Sequence, residues 1–297
     1  MAYPEIFKLW DAVSAGEQAE VERLLGSGLK VSTDGGGTMS ILHVAARSGS
    51  AGCVNALIGA GIDVNIINRS GETPLHIACS GGQTASAEAL ISAGAHVGAT
   101  DRHKNTPLHE ACEYGHSGCV NALLAAGANV NARNRDGRTP FFHVCGSNNT
   151  SEIVSFIDAG ADVNATARNG WTPLHEACRE GDSSSIKILI EAGADVNPET
   201  CIKFGGFTPL HCACENNFAD CVEIMLEAGA DINARSALGW TPLHYACSND
   251  CAEAVKVLIV RGADIAAMDN QRKCPKELAK KKVTLSLFEP MVKAAIW

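Results

Sequence analysis

The chain has 297 residues, 46% of them hydrophobic and 19% charged, with a net charge of −9 at pH 7. That balance argues against sequence-independent nucleic-acid binding, which draws on an excess of lysine and arginine to displace counterions. No apolar run reaches the ~18–20 residues of a membrane span, and Met1 to Glu5 lacks a charged segment followed by an apolar core, so membrane insertion and secretion are not expected and the cytoplasmic or nuclear compartment is.

In chain order the dominant feature is a recurring hexapeptide, Thr-Pro-Leu-His-x-Ala. The first stretch, Met1 to about Val31, holds a degenerate copy with Lys8 and Trp10 in the proline and histidine slots, and its second helix opens on the polar run Glu17-Gln18-Ala19-Glu20. Such a polar helix suits a terminal cap whose outer face meets water. After a Gly35-Gly36-Gly37 tip, the second copy opens on Ser40-Ile41 and keeps Leu42-His43-Val44-Ala45. Full copies follow at Thr73–Ala78, Thr106–Ala111, Thr172–Ala177, Thr208–Ala213 and Thr241–Ala246, while the copy at Thr139 carries Phe142 in the histidine slot. The histidine slot advances by 33 residues at each step except from His175 to His211, where it advances by 36 and predicts an insertion within Pro198 to Gly206. The last copy reads Cys274-Pro275-Lys276-Glu277-Leu278-Ala279, with Phe288, Met291 and Val292 in second-helix slots and Pro290 expected to bend or shorten that helix.

Each copy reads as two short helices. In the sixth, Thr172 offers an oxygen to free amides at a helix start and Pro173 fits the first turn. Leu174, Ala177 and Cys178 mark the apolar face, and Gly181 closes the helix. Ser183 to Glu191 forms the second helix, with Ile186, Leu189 and Ile190 on one side, and Gly193 ends it.

A fixed 33-residue period built on this hexapeptide resembles the ankyrin repeat. The resemblance implies an all-α repeat solenoid in which each unit is a helix-turn-helix plus a β-hairpin loop. It reads as a single ankyrin-repeat domain over residues 1–297, with approximate units 1–34, 35–67, 68–100, 101–133, 134–166, 167–199, 200–235, 236–268 and 269–297, the terminal two acting as caps. In this family the hexapeptide histidine bonds backbone near the hairpin. His43, His76, His109, His175, His211 and His244 are therefore expected to be structural rather than ligands or bases.

The thirteen cysteines fit the same reading. Cys79, Cys112, Cys145, Cys178, Cys214 and Cys247 share one slot, and equivalent atoms in stacked helices lie roughly 8–10 Å apart, beyond the ~7 Å Cα separation a disulfide tolerates. They are expected to be buried free thiols, with Cys53, Cys119 and Cys221 forming a second, more exposed ladder. The best local metal candidate, His211-Cys212-Ala213-Cys214, places its two thiols about 200° apart on a helix, and no Cys-x-x-Cys pair occurs. Neither a nucleophile elbow, a phosphate-binding lysine loop nor a His-Glu-x-x-His stretch is present. The expected protein is not an enzyme and uses no cofactor or metal.

Variable positions carry what is particular to this chain. By the resemblance, partners touch the hairpin tips and the concave face of the first helices. Trp171, Phe207 and Trp240 occupy the tip slot before threonine; with Phe204, Leu238 and Tyr245 they are expected to form a contiguous apolar surface. Such a surface either binds a partner or staples neighbouring tips by stacking. Tyr114 and the basic tips at Arg135, Arg138 and Arg168 extend the candidate surface. The charges form either local ion pairs with first-helix glutamates or a bipolar groove that orients a partner. Asn65, Asn131, Asn164, Asn197 and Asn233 occupy the hairpin slot that is hydroxylated in some members of this family.

The expected function is that of a non-catalytic scaffold or adaptor for another protein, monomeric on its own. The alternatives are a regulatory or targeting subunit of an enzyme or channel complex, or a metal- or redox-responsive protein.

Overall fold

The computed structural model describes residues 3–29, 39–147 and 149–289. The glycine tip at 35–37 and the slots of Pro290, Met291 and Val292 lie outside them. The described residues contain 18 α-helices, one short 3-10 helix and no strands. They fall into two compact units, 1–135 and 136–297.

In the first unit four helix pairs follow one another: Tyr3–Ala15 with Gln18–Gly26, Ile41–Ser48 with Ala51–Gly59, Pro74–Ser80 with Thr84–Ser92, and Pro107–Glu113 with Ser117–Ala125. The second unit holds five: Phe141–Cys145 with Thr150–Asp158, Pro173–Glu180 with Ser183–Glu191, Pro209–Glu215 with Ala219–Glu227, Pro242–Ser248 with Ala252–Val260, and Pro275–Leu278 with Lys282–Ser286. Within each unit, first helices pack on first helices and second on second.

Local chemistry explains the pairs. Thr172 is extended at φ −117° and ψ 165°, Pro173 is the first helical residue, and Gly181 ends the helix at φ +75°, where a side chain would be strained. The second helix starts on Asp182, whose carboxylate accepts from the Ser185 amide at 3.0 Å. Burial joins the pairs: Leu75, Leu90, Leu108 and Leu123 in one unit, and Leu174, Leu189, Leu210 and Leu243 in the other, are almost wholly shielded. Each leucine buried in this way contributes on the order of 1.5–3 kcal/mol. In the N-terminal polar helix only Val21 and Leu24 are buried, as a cap requires. Phe288 is buried at the other end.

The hairpin loops close by single backbone bonds. Asn68 N–H donates to Glu72 O, Asp101 to Asn105, Ala167 to Trp171, Ser236 to Trp240 and Asp269 to Lys273, each four residues apart. In the seventh loop the corresponding bond runs from Thr200 to Phe207, seven residues apart. The three extra residues therefore lie between Thr200 and Phe207, where Ile202–Phe204 coil into the 3-10 turn.

Candidate functional site

The histidine slot comes first, because the tips are built on it. The Thr172 amide donates to His175 Nδ1 at 3.1 Å, and the Thr172 hydroxyl lies 2.8 Å from the same nitrogen. At the far side Nε2 lies 3.1 Å from the Phe207 carbonyl oxygen in the next loop. An amide can only donate and a carbonyl can only accept, so Nδ1 is bare and Nε2 carries the proton. The ring is therefore neutral, joining its own helix start to the next tip. His43 reaches Glu72 O at 2.9 Å, His76 Asn105 O at 3.1 Å, His211 Trp240 O at 3.2 Å and His244 Lys273 O at 3.2 Å in the same way. Burial depresses the pKa of all five, and His175 and His211 fall to about 4. The structural role implied by the resemblance is the one these rings perform.

Above the histidines sit the aromatic tips. The Trp171 ring stacks on His175 with centroids 4.9 Å apart, and its indole N–H donates to Glu176 Oε2 at 2.8 Å. Its other neighbours are the buried Phe142, Ala165 and Ala167. Phe207 meets His211 edge-on at 6.0 Å and Tyr245 at 5.0 Å. Trp240 lies 6.3 Å from His244 and 4.9 Å from Tyr245, and its N–H donates to Asp269 Oδ2 at 3.0 Å. Trp171, Phe207 and Trp240 are half-buried. The structure thus brings Phe207, Trp240 and Tyr245 into one ring cluster and seats Trp171 on its own histidine.

Tyr245 is only 6% exposed, and its hydroxyl donates to Ser236 Oγ at 3.2 Å, so it is a post on which Phe207 and Trp240 lean. Phe204 at 49% and Leu238 at 55% are open to solvent, as is Ile202 at 79%, which sequence reasoning passed over. Its signal in the sequence is the apolar-basic-apolar run Ile202-Lys203-Phe204 inside the insertion. Tyr114 is exposed and lies 6.3 Å from His116. Arg135 and Arg168 are exposed, whereas Arg138 is half-buried with its guanidinium 6.0 Å from the Phe142 ring.

The ion pairs join Arg23 to Glu20, Arg179 to Glu176 and Glu180, and Arg261, which follows its helix, to Glu223 and Glu227. Glu110, half-buried on a first helix beside Glu113, is pushed up to about 7 by burial and that neighbouring charge, while the Asn105 amide donates to it at 3.2 Å.

All thirteen cysteines are free thiols. The second ladder, expected to be more exposed, is not: Cys53, Cys119 and Cys221 are at most 1% exposed. They sit at the third position of the second helix, which faces back onto the preceding pair, and the Cys119 thiol points at Ala78 O, 3.9 Å away. Burial pushes the Cys221 thiol up to about 11 and Cys247 up to about 12, away from the range of reactive thiolates. Among the described residues, no group of three or more histidine, cysteine or acidic side chains is arranged to hold a metal. No described helix is long and apolar enough to cross a membrane.

The hairpin asparagines are tied into the next loop. Asn65 Oδ1 accepts from the His96 amide at 2.8 Å, Asn164 from Asp195 at 2.8 Å, Asn197 from Asp231 at 2.8 Å and Asn233 from Asp264 at 2.9 Å. Asn131 is exposed, and its own amide donates to Asn129 Oδ1 at 2.9 Å.

The family model for ankyrin repeats, spanning three copies, matches residues 9–101, 42–134, 108–200 and 198–269. Comparison with curated proteins finds no match.

Proposed function

The chain belongs to the ankyrin-repeat family, and from that premise we propose that it is a non-catalytic scaffold that binds another protein through its hairpin tips and the adjoining face of the first helices. Ankyrin repeats are generally protein–protein interaction modules and typically non-catalytic. The observation that supports this use here is the way Trp171 and Trp240 are held. Each ring is half-exposed, yet each is fixed by an indole bond to a carboxylate and lies against a histidine or tyrosine beneath it. A large ring presented with its rotamer already chosen loses little entropy on binding, and tryptophan is enriched among residues that dominate interface energies.

The double variant Trp171→Ala, Trp240→Ala tests the reading. Proteins retained by the immobilised wild-type chain are identified by mass spectrometry, and their affinity for the variant is measured at 25 °C, where circular dichroism shows it still folded. Retention is expected to fall about tenfold or more. If retention is unchanged and only the melting temperature falls, the rings are staples and the reading fails.

A further inference from the structure

Among the described residues of the second unit, the three-residue insertion of the seventh loop is the one place where a tip departs from its neighbours in length, and it departs by projecting apolar and basic groups together. Ile202 and Phe204 are 79% and 49% exposed, with the Lys203 ammonium 4.9 Å from the Phe204 ring. Backbone bonds seat this turn between the adjoining tips. The Cys201 amide donates to Asn169 O at 2.8 Å, and the Ala237 amide donates to Gly205 O at 2.9 Å. Ile202 thereby lies beside the Arg168 tip and Phe204 beside the Leu238 tip. Gly205, at φ +109°, makes the turn possible, because an added Cβ would meet the Phe207 ring at 2.2 Å.

Charge completes the pattern. Arg23, Arg179 and Arg261 have carboxylate partners, whereas none of the ion pairs among the described residues involves Arg168 or Lys203. Both side chains are exposed. Arg235, on the next loop, reaches the Met268 carbonyl oxygen at 2.8 Å but no carboxylate. A ridge that alternates uncovered apolar side chains with cations lacking counter-charges is complementary to a segment that alternates acidic and bulky apolar residues. Its apolar side chains would shield Ile202, Phe204 and Leu238 from water, and its carboxylates would supply the missing counter-charges and steer the approach.

We propose that the ridge formed by Arg168, Ile202, Lys203, Phe204 and Leu238 docks a short, extended, acidic–apolar peptide segment of a partner protein. The proposal rests on the scaffold reading above and specifies the chemistry of what is bound at one place.

The test uses a phage-displayed library of random peptides of roughly twelve residues, the length of linear motifs that lie across a few adjacent loops. It is panned on the full chain and on the variant Ile202→Ser, Phe204→Ser, whose two positions are exposed and outside the core. Expected is enrichment of peptides combining aspartate or glutamate with leucine, isoleucine or phenylalanine. Synthetic copies should bind the double-serine variant about tenfold more weakly. They should likewise weaken on Lys203→Glu and as salt rises from about 0.15 M to about 0.5 M. Recovery of the same peptides on the double-serine variant, or selection of a pool with no acidic–apolar bias, overturns the proposal. So does a ridge occupied otherwise, seen as self-association by sedimentation or as binding to phosphatidylserine vesicles that the double-serine change abolishes. Each of these failures leaves the tryptophan-dependent retention of a protein partner untouched, so the two readings fail separately.

Discussion

The first helices of the fifth and sixth repeats differ at one decisive residue, and the helix start differs with it. In the sixth, His175 takes the Thr172 amide and hydroxyl on one nitrogen and gives its proton to the Phe207 carbonyl with the other. The helix begins at Pro173 and runs for eight residues. In the fifth, Phe142 fills the same slot, fully buried, but offers no nitrogen. The Thr139 hydroxyl is buried without a hydrogen-bond partner, the helix begins only at Phe141, and it runs for five residues. The Phe207 carbonyl accepts two bonds, one from the Thr200 amide and one from His175. The equivalent Trp171 carbonyl accepts from the Ala167 amide, and Trp171 packs on a cluster that holds Phe142, which has no donor to offer. Burial is conserved between the two slots and hydrogen bonding is not. The repeat therefore tolerates apolar filling at this slot at the expense of its helix start.

Acid should reveal the difference most strongly. His175 and His211 titrate near pH 4 when folded, against an ordinary value of 6.5. The unfolded chain therefore binds more protons between those limits. The contribution of each such histidine is full above about pH 6.5 and falls by about 3 kcal/mol as pH drops toward 4, offset in part by Glu110, whose raised carboxyl adds stability as pH falls from about 7. The urea midpoint, followed by circular dichroism from pH 7.5 to pH 4, should drop below about pH 6.5. The fifth repeat has no ring to protonate at Phe142, so hydrogen exchange should show protection in 141–145 changing less than in 173–180. A flat profile would mean that the rings are not held neutral.

Copying the fifth repeat into the sixth is the next largest effect. His175→Phe strands the Thr172 hydroxyl and amide and the second bond of the Phe207 carbonyl, at about 1–3 kcal/mol for each buried group left unpaired. A loss of about 3 kcal/mol in chemical denaturation is expected. The threonines sharpen the contrast with smaller changes of opposite sign. Thr172→Val should destabilise by about 1 kcal/mol, because its hydroxyl is in use. Thr139→Val should stabilise by up to about 1 kcal/mol, because a buried unpaired hydroxyl is removed at constant shape.

The sequence made much of this legible. The hexapeptide and its period specify the capped helix starts, the left-handed glycines and the buried leucines, because each rests on chemistry within one repeat or between equivalent slots. The Phe142 substitution and the 36-residue step stood out for the same reason. The site was harder to read. The Tyr245 slot looked variable and exposed, but whether a ring there faces solvent depends on Phe207 and Trp240 folding over it from two loops, and no spacing reports that. Cys119 was misplaced for a related reason: helical position gives its direction, and only the preceding pair determines that something covers it. Ile202 escaped notice because an insertion has no equivalent slot to be compared with.

The converse of the second experiment is the subtlest. Phe142→His places an imidazole in the slot that His175 fills, three residues after Thr139 with its unpartnered hydroxyl and 29 residues before Trp171, the places at which His175 bridges Thr172 and Phe207 in its own repeat. The gain is one capping hydrogen bond and one bond to the carbonyl, about 1 kcal/mol each. Against it stands the replacement of a buried phenyl ring, packed on Ala165, Ala167 and Trp171, by a smaller and more polar one. The two nearly cancel, so the expected change in global stability at pH 7.5 is a gain of about 1 kcal/mol or less. The local signature is larger than the global one. Amide protection at Val144 and Cys145 should rise as the helix start extends back to Pro140, and the rise should vanish below about pH 5 as the new ring protonates. Adding Thr139→Val to Phe142→His should also abolish the gain, since the hydroxyl is then no longer there to meet the ring. Protection that falls at pH 7.5 would show that the phenyl ring's packing outweighs both bonds, and that the fifth repeat is the optimum for its own neighbours.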